Sequence, residues 1–389
     1  IDSSAVIIEL YKIATMPTLI AIPLFTFAGY LLAESGSPKR LVALARAMFG
    51  WMPGGLALVV LLSCAFFTAF TGASGVTIVA LGGLLFPILI AERYTERFSL
   101  GLVTTSGSLG LLFPPSLPII LYALVAEQSI DKLFVAGIIP GFLLILILGA
   151  YSIYSGRRSK VKKVPFTWPE LGRSIRGAAW ELPLPVLIVG GIYSGAFTAT
   201  EAAAITAFYV LIVEVFIHKD LSLWKDVPRV MRESMMLVGA ILAILGTALG
   251  LTNYLIDQQV PQKLFEVVQA QVESRIMFLI ILNLFLLVVG MMMDIFSATL
   301  VVVPLILPIA TQFGVHPVHL GIIFLTNLEI GYMTPPVGLN LFLSSLRFEK
   351  PILTIARSVL VFIGLLMLAL LVITYVPELS LWLGETLGP

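Results

Sequence analysis

An apolar helix has no ordinary place for two prolines in a row, yet this chain carries such a pair twice, as Pro114-Pro115 and Pro335-Pro336. Each pair removes amide donors and disfavours the helical conformation at the residue before it, so a helix that contains it must break. Both pairs lie deep in long apolar runs, 99–124 and 319–345. One offset of 221 carries the first pair onto the second and also matches Pro87 to Pro308, Thr105 to Thr326 and Gly110 to Gly331. Coincident spacing of such rare breakers implies an internal duplication.

Composition says what surrounds the breaks. Of the 389 residues 59% are hydrophobic and 12% charged, against about 25% charged in a soluble domain. That excludes an ordinary soluble enzyme and a disordered chain. Cys64 is the sole cysteine, and with three histidines there is no material for a disulfide or a Cys/His metal cluster. A formal net charge of +1 leaves no electrostatic footprint for nucleic acid. No Walker A sequence is present, and Gly72-Ala73-Ser74-Gly75 lacks the spacing of a nucleophile elbow, so no enzyme is expected.

A helix needs about 20 apolar residues to cross a hydrocarbon core of roughly 30 Å. Besides 99–124 and 319–345, the runs 17–34, 133–154, 183–217, 235–256 and 356–376 qualify, with 183–217 long enough for two crossings around a turn near Thr198–Glu201. The fold expected is an all-α polytopic membrane protein. Two stretches, 58–90 and 277–310, are too long for one crossing and have polar centres: Thr68, Thr71, Gly72, Ser74 and Gly75 in one, Asp294, Ser297 and Thr299 in the other. They read as re-entrant hairpins, because irregular backbone at that depth survives only inside protein or against a watery cavity.

Lys and Arg mark the cytoplasmic side. Arg157, Arg158, Lys160, Lys162 and Lys163 follow the last helix of the first repeat, whereas the tail after the second carries Glu378 and Glu385 and no base. The loop Glu127–Lys132 is net acidic and its counterpart Arg347–Arg357 net basic. The repeats are therefore inverted, with hairpin 1 opening to the cytoplasm near Glu92–Arg97 and hairpin 2 to the outside near Gln312–His319. The organisation expected is N-terminal scaffold helices in 1–57 and repeat 1 in 58–154. A basic amphipathic linker fills 155–182, with more scaffold helices in 183–276. Repeat 2 occupies 277–376, and a C-terminal tail 377–389. The linker reads as an interfacial helix on anionic membrane lipid. Ile1–Ala14 reads as amphipathic and, without an initial Met, suggests that an upstream segment precedes it.

Unwound carbonyls upstream of each Pro-Pro pair can hold a hard cation, and half-helix N-termini can face an anion. The bland alternative for each break is a structural kink. Asp294 and Glu329 are the intramembrane acids, each a candidate proton carrier, ion ligand or cap; Asp294 fits best as an N-cap for the helix beginning near Ser297. Glu201 and Glu214 read as interfacial, Met291–Met293 as packing, and His218, His316 and His319 as solvated loop residues.

From Gly50 to Gly141 the sequence includes GWMPGGLA, TAFTGASGVTIVALGGLLFP and GSLGLLFPPSLPIILYALVAEQSIDKLFVAGIIPG. The second half contains MMMDIFSATLVVVPLILPI and HPVHLGIIFLTNLEIGYMTPPVGLNLF. These stretches resemble the large membrane subunit of tripartite ATP-independent periplasmic (TRAP) transporters, and the likeness covers nearly the whole chain. It implies an ion-transporter-superfamily fold moving as an elevator, and Na⁺-coupled symport of a small organic acid in the bacterial inner membrane. It also implies two partners, a small membrane subunit and a periplasmic substrate-binding protein, and one further transmembrane helix ahead of Ile1.

By the same likeness, one sodium site falls on Thr68, Thr71 and Ser74 with the carbonyls of Gly110, Phe113 and Pro115. The other falls on Gly290, Gly331, Thr334 and Val337, with Asp294 nearby. Substrate would lie near Ser106, Ser108, Ser297, Thr299 and Asn340. One departure is that the first tip reads Thr-Gly-Ala-Ser-Gly-Val-Thr where the family is usually richer in Ser and small residues. The rival reading is a proton-coupled carrier using Asp294 and Glu329, and a channel is a further alternative.

Overall fold

The computed structural model describes Tyr11 and residues 17–159, 165–272 and 274–387. The expected amphipathic segment Ile1–Ala14 and the bases Lys160, Lys162 and Lys163 fall outside the described residues, Tyr11 excepted. Two helices, α1 (Ala21–Glu34) and α2 (Ser37–Phe49), precede the first repeat. Hairpin 1 follows as α3 (Gly55–Thr71) and α4 (Ser74–Ala91). Its tip turns at Gly72, whose φ of +64° is the left-handed conformation that glycine adopts without steric cost. A π turn at Ile78–Gly82 loosens α4, and Arg347 Nε donates to the Val79 carbonyl there at 2.8 Å.

The first broken helix is α5 (Glu96–Ser106), a 3-10 turn at Leu109–Leu112, the cis pair Pro114-Pro115, and α6 (Leu117–Val125), with a 45° bend between the two arms. Helices α7 (Ile130–Ala136) and α8 (Ile138–Arg158) close the repeat. The linker forms α9 (Trp168–Gly177), an amphipathic helix with no buried residue. Next come α10 (Pro183–Tyr193) and α11 (Ala199–Ile212), the latter begun by a capping box between Thr198 and Glu201 and extended by a π turn over Val213–Ile217. Then follow the long α12 (Asp226–Asp257) and α13 (Val260–Gln269). Hairpin 2 is α14 (Arg275–Met292) and α15 (Ile295–Gln312), and the second broken helix is α16 (Pro317–Gly331) and α17 (Leu339–Phe348) around the cis pair Pro335-Pro336. Helices α18 (Ile352–Tyr375) and α19 (Glu378–Leu387) end the described chain. Among the described residues seven helices are long and apolar enough to cross a membrane, and the bent α5–α6 pair makes an eighth span.

The 221 offset holds in three dimensions. It carries the bounds of α4 onto those of α15, and the start of α5 onto the start of α16. Packing is reciprocal: α4 lies against α17, and α15 against α6, which is the same pair of surfaces with the repeats exchanged. Exchange of that kind is what a two-fold relation produces.

Outside the repeats, one mostly buried cation ties three parts of the chain together. Arg40 on α2 reaches Glu181 at 2.5 Å, Glu214 at 2.8 Å and Asp220 at 2.5 Å, and the Gly36 amide also donates to Asp220 at 2.8 Å. This ties α2 to the chain after α9 and to the end of α11. Glu214, expected at an interface, is instead fully buried, because Arg40 supplies the charge that makes burial tolerable. His319, expected in a solvated loop, is buried in the first turn of α16 between Ser380 Oγ and the Thr374 carbonyl, each 3.2 Å from a ring nitrogen. His316 is the N-cap of that helix.

Candidate functional site

Each hairpin tip meets the break of its own repeat. In repeat 1, Thr68 Oγ1 is 2.7 Å from both Thr77 Oγ1 and the Gly107 carbonyl, with the two threonines buried. Gly110 is pressed so closely on α3 that a Cβ there would stand 2.2 Å from the Ala65 carbonyl oxygen and 2.4 Å from the Ala69 amide nitrogen. In repeat 2 the counterpart Gly331 crowds Gly290, with a Cβ only 2.5 Å from the Gly290 carbonyl carbon. The Gly338 amide, just past the second break, donates to the Met291 carbonyl at 3.2 Å. Small residues are needed here because backbone meets backbone.

The expected ion ligands are distributed as follows. Thr68, Thr71 and Ser74 are all buried at tip 1, where Thr71 Oγ1 donates to the Ala73 carbonyl at 3.4 Å. The Gly110 carbonyl accepts from the Phe113 amide and the Phe113 carbonyl from the Ser116 amide, so each keeps its second lone pair. Pro115 is buried, whereas Val337 is 43% exposed. Thr334 Oγ1 donates back to Ile330 at 2.9 Å. Asp294 caps α15: Oδ1 accepts from the Phe296 and Ser297 amides, each at 3.0 Å, and Oδ2 from the Ser297 hydroxyl at 2.5 Å. Tyr332 Oη accepts from the Ile295 amide beside it.

Of the residues expected near substrate, Ser106, Ser108 and Thr299 are buried and donate back to the Val103, Thr105 and Ile295 carbonyls. Ser297 is half-buried on Asp294. Asn340 crosses between repeats, its Oδ1 accepting from Ser74 Oγ at 2.7 Å, while its Nδ2 is buried without a partner. Thr104 and Ser344 make a second such link at 2.8 Å.

Several polar residues at this centre escape sequence reasoning. Thr105 Oγ1 and Ser116 Oγ are buried and unpartnered, as are both oxygens of Glu329, the intramembrane acid already picked out in the sequence, and native interiors leave few such atoms without a reason. Glu329 faces Ser108, which is its own 221-offset mate. Asn283, Asn327 and Thr374 form a buried cluster joining α14, α16 and α18, with Asn327 Nδ2 donating to Asn283 Oδ1 at 2.7 Å. Isolated polar residues in apolar runs were the available signal, but without the fold nothing showed that they met.

Among the described residues no group of three or more His, Cys, Asp or Glu side chains could hold a metal ion. What converges at the breaks is hydroxyl and carbonyl oxygen with few carboxylates, a donor set of hard oxygen rather than of the nitrogen and sulfur that transition metals favour.

These paired hairpins and broken helices define a secondary-transporter architecture. Residues 3–379 match the family described as the DctM component of the tripartite ATP-independent periplasmic transporter. The C4-dicarboxylate TRAP transporter large permease DctM of Pseudomonas aeruginosa is 38% identical over 98% of this chain and 89% of the relative. The ectoine/5-hydroxyectoine large permease UehC of Ruegeria pomeroyi is 31% identical over 95% and 86% respectively. The isethionate permease DctMQ of Oleidesulfovibrio alaskensis is 37% identical over 94% of this chain, which spans 58% of that longer protein. Among solved structures, the YdaH transporter of Alcanivorax borkumensis superposes with a TM-score of 0.70 at 13% identity, covering 99% of this chain and 89% of its own, a likeness of fold. The chain belongs to the DctM family of TRAP transporter large permeases, a family of transporter subunits and not of enzymes.

One prediction arises at Asp294. Asp294→Ala removes an N-cap and should lower stability by about 0.5–2 kcal/mol, whereas Asp294→Asn keeps an acceptor for the two amides and should cost a few tenths at most. Thermal melts of the two variants check this, and equal losses would show that the carboxylate does more than cap.

Proposed function

We propose that this chain is the membrane-embedded permease of a sodium-coupled importer of small organic acids, working in a bacterial inner membrane. A periplasmic binding protein delivers the acid, and a small membrane subunit stands beside the permease. The reading is carried by one observation above all: two hairpin tips, each seated on a glycine of its own broken helix, with reciprocal packing between the repeats. The names of the relatives, which cover a C4-dicarboxylate, isethionate and ectoine, set the substrate class proposed.

In this reading Na⁺ is held at tip 1 by Thr68, Thr71, Ser74 and the carbonyls of Gly110, Phe113 and Pro115. A second Na⁺ lies among Gly290, Gly331, Thr334 and Val337, near the Asp294 carboxylate. The acid binds between the tips, where the free Asn340 Nδ2 supplies a donor and Ser297 a hydroxyl. Hairpins and broken helices then cross as one body past α1, α2 and α10–α13. The break at Pro335-Pro336 is exposed and the one at Pro114-Pro115 buried, which supports a conformation open on one side only. The exposed break leads into α17, whose far end carries Arg347 and Lys350, the cytoplasmic side by charge.

Two Na⁺ with a monoanion such as isethionate move one net charge, worth about 2.3 kcal/mol per 100 mV, so that transport is electrogenic, whereas with dianionic succinate the same two Na⁺ move none. The test is uptake by proteoliposomes holding the complete complex, with an imposed Na⁺ gradient and labelled succinate, isethionate and ectoine. Uptake that needs both Na⁺ and the binding protein is expected; flux indifferent to Na⁺ removal would sink the proposal. The buried, unpartnered carboxyl of Glu329 favours a second reading, proton coupling through Glu329 and Asp294. Under sodium coupling Glu329→Gln keeps a Na⁺-driven flux, and under proton coupling it abolishes the pH-driven one.

A further inference from the structure

At the mouth of hairpin 1, away from the two breaks, a cavity of about 570 Å³ opens between the α4–α5 turn, the end of α8 and the first half of α18. Three guanidinium groups from different parts of the chain line it: Arg93 in the turn, Arg97 in the first turn of α5 and Arg158 at the end of α8. Among the described residues no carboxylate lines it. The two acids nearest in sequence are engaged elsewhere, Glu92 with Arg46 at 3.2 Å and Glu96 with Lys350 at 2.5 Å. Arg97 Nη2 donates to the Arg357 carbonyl at 3.0 Å, which fixes its direction and leaves its other donors available. The side chains of Arg93 and Arg158 have neither ion-pair nor hydrogen-bond partner among the described residues. Three uncompensated guanidiniums around one space repel one another unless an anion sits among them, and arginine forks match phosphate oxygens in pairs.

The other wall is apolar. Phe98, Tyr151 and Phe362 form a packed aromatic group, with ring centroids 5.4–5.8 Å apart, and Val361 lies beside them. A soluble phosphate ester has no use for that surface, whereas the first carbons of an acyl chain do. The whole arrangement stands at the basic end of α8, the cytoplasmic end by charge, where basic pockets between membrane helices hold lipid headgroups.

We propose that this cavity binds the phosphodiester headgroup of an anionic membrane phospholipid, held by Arg93, Arg97 and Arg158 with its glycerol end over Phe98, Tyr151 and Phe362. The bound lipid bridges the cytoplasmic mouth of hairpin 1 to α8 and α18. This site is separate from the amphipathic α9, whose Arg173 and Arg176 carry the basic charge of the linker.

The full chain, purified in neutral detergent, is titrated with palmitoyl-oleoyl phosphatidylglycerol, with phosphatidylcholine of the same chains, and with glycerol 3-phosphate; bound species are counted by native mass spectrometry. Phosphatidylglycerol should be retained at least about tenfold more tightly than phosphatidylcholine. Arg93→Gln/Arg158→Gln should remove most of that preference, while Arg173→Gln/Arg176→Gln leaves it. Because the Arg93 and Arg158 side chains have no ion pair or hydrogen bond to lose among the described residues, the double variant should melt close to the parent, and Arg158→Lys, which keeps the charge, should retain part of the preference. Full competition by glycerol 3-phosphate would make this a soluble phosphate-ester site and overturn the lipid assignment. Equal retention of the two lipids, or a preference that survives the Arg93/Arg158 change, would overturn it as well.

Discussion

Arg40→Ala should lower the unfolding free energy by about 3–5 kcal/mol. The guanidinium is mostly buried and faces three carboxylates, of which Glu181 and Glu214 have side chains at most 1% exposed. Removing it strands two buried acids, and among the described residues the one other base within 4 Å of either is His218, whose Nε2 is 3.9 Å from Glu181. The cost arises from the acids left behind. Arg40→Ala combined with Glu181→Gln and Glu214→Gln should therefore recover much of the stability lost by Arg40→Ala alone. Thermal melts of the three proteins decide it; no recovery would mean that Arg40 acts through packing.

Asp220 adds a pH signature. Partial burial works against its ionisation, but hydrogen bonds from Arg40 and the Gly36 amide outweigh that and hold its carboxyl below the usual range. A carboxyl depressed in the fold stabilises it above its unfolded pKa of about 3.9, and that contribution fades as pH falls through the lower folded value. The acid limb of the stability curve should therefore flatten in Arg40→Ala.

The second large effect is at the break glycines. Gly110→Ala places a methyl group 2.2 Å from the Ala65 carbonyl oxygen, and Gly331→Ala one 2.5 Å from the Gly290 carbonyl carbon. Both neighbours are backbone, so no side chain can swing aside. Overpacking of this kind costs about 1–3 kcal/mol, and relief requires the broken turn to lift off its hairpin tip. Uptake in the assay above should fall to background in either variant while much of the protein still inserts and folds. Gly172→Ala, where a methyl meets nothing within 4 Å, is the control and should transport as the parent does. Parental uptake by Gly110→Ala would mean that the close seat of break on tip is dispensable.

The hairpins, the breaks and their repetition were legible because prolines, glycines and apolar run lengths are local signals that survive in one dimension. The split of 183–217 and the cap at Asp294 were visible for the same reason. What stayed hidden depends on distant partners. Glu214 reads as interfacial until Arg40, 174 positions away, is seen to donate to it. His319 reads as a loop residue until Ser380 and the Thr374 carbonyl close over it. Thr77, Asn283 and Asn327 are single polar letters in apolar text, and only the packing of α3 on the first break, and of α14 on α16, shows which others they meet.

The turns joining α4 to α5 and α15 to α16, residues 92–95 and 313–316, have equal length, although surface turns usually tolerate insertion. A residue added to one of them would slip one hairpin against its broken helix and leave the other unslipped. The two copies would then no longer be interchangeable parts. Transplanting Glu92–Thr95 into 313–316, or the reverse, keeps every helix at its present spacing, so the protein carries within itself the gauge by which either half can be rebuilt from the other.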